Sequence, residues 1–252
     1  MAYEFDQNPR RPLHDEPVTI SCPTGYYRSI SARVKLLNSA VAVIACHPWG
    51  LMGGSMHDIV VRQSLSLFNQ AGLTTLRFDF RSGLGRGFQS VDDVRFCANY
   101  LLHELPEAQR PQKLIIVGYS YGSIPASAAV ADIPEVIGFA VIAPPLDYAW
   151  ALYMFNIDRL KERVVEASTG GRPKLLLIGE HDNFCSMDSF VAFAEALPGP
   201  KTMRVIDSCD HFRIYAHVFK NLESWAVQAF KLGHLSELAT KVPELECVAP
   251  GG

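Results

Sequence analysis

The pattern of apolar and polar positions changes character near residue 40. Before that point, Val18-Thr19-Ile20-Ser21 and Ile30-Ser31-Ala32-Arg33-Val34-Lys35-Leu36 alternate, the period-two signature of strands with one wetted face. Pro23-Thr24-Gly25 lies between them as a turn, so the two are expected to pair antiparallel. Beyond residue 40 the apolar residues come in runs: Ala40 to Ala45, Leu73 to Phe80 with few interruptions, Leu114 to Val117, Val136 to Ala143 and Leu175 to Ile178. Runs of this kind belong to strands buried on both faces, as in a parallel sheet covered by helices.

Parallel strands need long crossovers, and the segments between the runs have helical spacing. His57 to Ala71 carries Ile59, Val60, Leu65, Leu67 and Phe68 and stops at Gly72; Val91 to Leu105 carries Val94, Cys97, Leu101 and Leu102 and stops before Pro106. Helices are further expected over Ser120 to Val130, Asp188 to Leu197 and Phe212 to Lys231. Two alternating strands followed by repeated strand-helix units predict an α/β fold, a mostly parallel doubly wound sheet with antiparallel N-terminal strands. The expected layout is an N-terminal arm over 1–15, one domain over 16–234, and a C-terminal tail over 235–252.

Composition narrows the partners. A chain of 252 residues that is 48% hydrophobic can bury one substantial core. A formal charge of −3 without like-charge runs leaves no electrostatic footprint for nucleic acid, so a small-molecule substrate is expected. The polar, acidic start Met1-Ala2-Tyr3-Glu4-Phe5-Asp6 lacks the layout of an export signal, and no apolar stretch approaches the roughly 18 residues needed to span a bilayer. A cytoplasmic location with no membrane span is expected. The six cysteines include no C-x-x-C pair and read as free thiols. Cys185, Cys209 and His211 lack the close ligand spacing of a zinc site, so neither metal nor cofactor is expected.

The candidate chemistry sits at strand ends, where ligands bind in open α/β sheets. Gly118-Tyr119-Ser120-Tyr121-Gly122 follows the run Lys113 to Val117 and precedes a small-residue helix. A G-x-S-x-G elbow of this kind forces the serine into a strained turn, and its glycines let strand and helix approach. A serine hydroxyl needs a base, an imidazole suits proton shuttling near neutral pH, and a carboxylate behind it fixes the tautomer. Strand Leu175 to Ile178 leads to Gly179-Glu180-His181-Asp182, and Thr202 to Ile206 leads to Asp207-Ser208-Cys209-Asp210-His211. The chain order Ser120, Asp182, His211 is that of α/β-hydrolases. Taken singly, His211 could cap a helix, and Asp207 or Asp210 could supply the acid. The strand Val41 to Cys46 leads into His47-Pro48-Trp49-Gly50, ahead of Gly53-Gly54. An oxyanion would be held by the backbone N–H groups of Tyr121 and Trp49, since Pro48 has none; His47 is expected to brace the loop.

On these residues the chain resembles the α/β-hydrolase superfamily, and within it small serine hydrolases with a His-Pro-x-Gly oxyanion loop followed by Gly53-Gly54-Ser55-Met56. The resemblance spans about Val41 to Trp225. Such proteins often carry Phe-Arg-Gly-x-Gly-x-Ser, where this chain has Phe80-Arg81-Ser82-Gly83-Leu84-Gly85-Arg86-Gly87. The spacing of Gly83, Gly85 and Gly87 does not fit a dinucleotide-binding G-x-G-x-x-G. The resemblance implies a short lid insertion at about 145–172, with Tyr148 and Tyr153, together with Tyr119, as candidate substrate contacts. It implies a serine hydrolase that cleaves carboxylic esters or thioesters through an acyl-enzyme. The alternatives are a peptidase or amidase using the same triad and a ligand-binding protein that keeps the fold without turnover. A dehalogenase would need an Asp where Ser120 stands.

Overall fold

The computed structural model describes residues 5–8, 10–24, 27–81 and 87–244. The alternating segments form β1 (Glu16–Ser21) and β2 (Ser29–Lys35), paired antiparallel with Ile20 opposite Ile30. On β2 the side chains of Ile30, Ala32 and Val34 are buried and those between them face outward, as the period-two pattern requires. The apolar runs form β3 (Val41–Cys46), β4 (Thr74–Phe78), β5 (Lys113–Tyr119), β6 (Val136–Ile142) and β7 (Lys174–Gly179), with β8 (Lys201–Ile206) at the edge. Every residue of β3, β4, β6 and β7 is buried.

The strands make one sheet in the order β1-β2-β4-β3-β5-β6-β7-β8, parallel from β4 onward. The chain winds from β3 to β4 on one side and then returns to place β5 on the other side of β3. Open α/β sheets form their binding crevice at such a reversal, outside the carboxyl ends of the strands. Here those are the ends of β3 and β5, which carry the His47-Pro48-Trp49 turn and Ser120.

Seven helices cover the sheet among the described residues: α1 (Ile59–Gln70), α2 (Phe88–Asn99), α3 (Ser123–Ala129), α4 (Ala149–Tyr153), α5 (Ile157–Ser168), α6 (Met187–Ala196) and α7 (Tyr215–Ala229). On one face, Val60, Leu65 and Phe68 of α1 meet Val218, Leu222 and Trp225 of α7 over the sheet. On the other, Val94, Ile124, Leu160 and Phe190 from α2, α3, α5 and α6 close a second core.

Three expectations about layout change. The second half of the segment read as a lid insertion is α5, whose stripe Leu160, Val164 and Ala167 is buried in the α2–α3 layer. It is the crossover that joins parallel β6 to β7, and only residues 146–156 rise over the carboxyl edge. Residues 235–239 form a closing turn with Leu235 and Leu238 fully buried, and Ala239 accepts the Ala40 N–H at 2.8 Å. The arm is anchored too. Phe5 packs edge-on against Phe219, and Asp15 holds Arg33 and Arg77 at 2.7 Å each. Burial alone would raise the Asp15 carboxyl, but its bonds to the two guanidinium groups hold it below the ordinary carboxylate range. The Gly83 and Gly85 loop and the last residues of the tail lie outside the described residues.

Candidate active site

Ser120 follows β5 in a single tight turn before α3 and has φ +50°, a left-handed conformation unfavourable to any residue with a Cβ. The flanking glycines are needed by contact rather than by dihedral. A Cβ on Gly118 would lie 2.5 Å from Ser123 Cα, and one on Gly122 would lie 2.5 Å from the His47 carbonyl oxygen. The elbow is therefore pressed against both its own helix and the β3 loop, which holds the Ser120 hydroxyl at the crevice.

His211 stands with Nε2 2.9 Å from Ser120 Oγ and Nδ1 2.8 Å from Asp182 Oδ2. A carboxylate only accepts, so Nδ1 carries the proton and Nε2 is left to accept from the serine hydroxyl. The side chains of His211 and Asp182 are shielded from solvent. The other Asp182 oxygen accepts the Phe184 N–H at 2.8 Å, so the carboxylate is fixed from both sides. Asp210 is committed elsewhere, capping the N–H groups of Phe212 and Arg213, and Asp207 faces solvent. Bare backbone lets the β7 and β8 loops meet: a Cβ on Gly179 would lie 2.3 Å from the Cys209 carbonyl oxygen. The imidazole is packed between rings, with Tyr119 stacked at 5.5 Å and Phe184 at 4.6 Å between centroids. The Tyr119 hydroxyl also donates to the His211 carbonyl at 3.1 Å.

The β3 loop is braced by His47. Its Nε2 accepts the Phe80 N–H at 3.0 Å and its Nδ1–H donates to the Pro48 carbonyl, while burial pulls the imidazole pKa down. A neutral ring locked between β3 and the end of β4 fixes where Trp49 begins. The loop then folds on itself, with Gly54 donating to the Trp49 carbonyl at 3.0 Å. Met56 is held at both ends, its N–H by Asp79 and its carbonyl by Arg77. Tyr121 lies in the first turn after the elbow, where backbone N–H groups have no intrahelical partner.

A cavity of about 440 Å³ opens over Ser120 and His211. Tyr119 and Tyr148, both expected to meet substrate, line it. Tyr153 does not. It points inward from α4, fully buried, stacks on Tyr121 at 5.1 Å and donates its hydroxyl to the Tyr121 carbonyl at 2.6 Å. A buried tyrosine needs an acceptor for its O–H, and the carbonyl beside the elbow supplies one. Phe184, Phe212, Leu152 and Asp58 also line the cavity and escaped the sequence reading. Asp58 had a signal, as the cap residue before an apolar helical run directly after the glycine turn. A larger cleft of about 800 Å³ lies between β1 and α2, away from the serine.

No protein-family model matches the chain. An uncharacterised protein of Rickettsia prowazekii (strain Madrid E) is 25% identical over 205 residues, covering 77% of this chain and 80% of that protein. An α/β serine hydrolase homologue from Coxiella burnetii superposes with a TM-score of 0.64 at 22% identity, covering 82% of this chain and 97% of that one. An α/β serine hydrolase without lid from Xanthomonas campestris gives 0.64 at 24% identity, covering 86% and 98%. Est1E from Butyrivibrio proteoclasticus gives 0.69 at 13% identity, covering 85% and 99%. The strand order, the reversal beside β3 and this likeness together give the chain the α/β-hydrolase fold.

Proposed function

We propose that this protein is a serine hydrolase that cleaves carboxylic esters or thioesters through an acyl-enzyme. The observation that supports the reading is the hydrogen-bonded chain Ser120–His211–Asp182 at the floor of a largely apolar cavity. Ser120 Oγ attacks the acyl carbon as His211 Nε2 takes its proton, and Asp182 stabilises the imidazolium that forms. The oxyanion is held by the N–H groups of Tyr121 and Trp49. His211 then protonates the departing alcohol or thiol, and water repeats the sequence to release the acid. An acyl or leaving group with apolar bulk suits walls of Trp49, Tyr119, Phe184 and Leu152.

A fluorophosphonate probe tests the nucleophile. The expected result is covalent labelling of the wild type that is abolished in Ser120→Ala. Labelling that survives the substitution refutes Ser120, and an unlabelled wild type favours a binding protein that has kept the fold.

A further inference from the structure

The cavity over Ser120 is electrostatically one-sided. The rings of Trp49, Tyr119, Tyr148, Phe184 and Phe212 line it, and among the described residues no Lys or Arg does and the one carboxylate is that of Asp58. Asp58 caps α1, accepting the Val60 N–H at 2.8 Å. The positive end of α1 favours a carboxylate at this cap, but Asn or Ser would cap the helix about as well without placing a charge in the cavity wall. A carboxylate in such a wall is costly: burial outweighs the cap bonds and raises the Asp58 pKa above its ordinary value. Its field reaches both Tyr119 and His211, so the charge bears on the reacting end of the cavity. Aromatic faces attract cations, and a carboxylate among them adds direct Coulomb attraction.

We propose that this cavity selects substrates carrying an alkylammonium group, seated among the aromatic rings against Asp58, and that Asp58 is the residue that determines this specificity. The inference rests on the ester or thioester hydrolysis proposed above. It implies discrimination against anionic acyl groups, since among the described residues no Lys or Arg lines the cavity to neutralise them.

The test compares kcat/KM for isosteric pairs. One pair is the p-nitrophenyl ester of trimethylammoniohexanoate and the ester in which a tert-butyl group replaces trimethylammonium. The other is acetylthiocholine and its tert-butyl counterpart. The wild type is expected to favour the cation by about tenfold or more in at least one pair, which also tells whether the cation rides on the acyl or the leaving side. Asp58→Asn and Asp58→Ser both keep a helix cap, and each should bring that ratio to within about threefold of unity. Turnover of the neutral esters without cation preference in the wild type overturns this inference alone, as does a preference that survives both variants. Turnover of no member of either pair overturns the hydrolase reading and this inference with it.

Discussion

Replacing Ser120 by alanine and by glycine isolates the strain stored in the elbow. Both variants lack the hydroxyl, so both lose the bond to His211 and both should be inactive. They differ in whether a Cβ must sit at φ +50°. Holding a non-glycine residue in that region costs about 1–3 kcal/mol. Glycine gives back about 0.4–1 kcal/mol because its unfolded chain is freer. Ser120→Gly should therefore be the more stable of the two by about 1 kcal/mol, which for a domain of this size is about 2–4 °C in Tm. Paired urea and thermal melts followed by circular dichroism measure the difference. If Ser120→Ala melts at or above Ser120→Gly, the turn is not strained as argued, and the physical case for an elbow fails whatever the activity data say.

Three further outcomes follow from named contacts. Asp182→Asn should remain folded and lose roughly three to four orders of magnitude in p-nitrophenyl ester turnover, because an amide in place of the carboxylate favours the wrong imidazole tautomer; near-normal rates would move the acid role elsewhere. Tyr153→Phe leaves the Tyr121 carbonyl without its buried donor, at a cost of about 1–3 kcal/mol. It should lower kcat at nearly constant KM, and a change in KM alone would return Tyr153 to the substrate. Lys174 is fully buried, donates to the carbonyls of Pro198 and Pro200, and is pushed down by burial and then by Lys201 from 10.5 to about 8. Between those values the folded protein has released a proton that the unfolded chain still holds, so stability from this group rises with pH, by up to about 3 kcal/mol. Urea midpoints from about pH 7 to pH 10 should shift toward the wild type relative to Lys174→Met, and a constant difference would contradict the assignment.

The geometry of the candidate site was legible because it is written in local backbone constraints. Gly118 and Gly122 flank Ser120 where helix and strand nearly touch, and that requirement appears in the sequence as a fixed spacing. Asp182 and His211 were legible because one follows the buried strand β7 and the other the edge strand β8, and neighbouring parallel strands deliver their ends to the same edge. The order of the strands was not legible, nor was the burial of Asp15 with Arg77, because pairs 62 residues apart leave no periodic trace. The crossover α5 was misjudged for a similar reason. Its apolar stripe is spaced for a helix, but only the position of α3 shows that the stripe belongs to the sheet layer and not to a lid.

Tyr148 and Tyr153 show why the mechanism could be read further than the specificity. They lie five residues apart in one aromatic segment, and composition treats them alike. Tyr148 precedes α4 and stays half exposed over the cavity, while Tyr153 ends α4 and turns under Tyr121. The difference is set by one short helix, which rotates successive side chains by about 100° and so sends neighbours to opposite surroundings. Asp58 is the converse case, the cap of α1, whose second face is visible only when α1, β5 and the β8 loop converge. On the proposed function, substrate choice depends on such convergences between elements, whereas the nucleophile depends on strain within one. A change that tilts α1 or α4 by a fraction of a turn should therefore alter which esters are taken while leaving fluorophosphonate labelling of Ser120 intact.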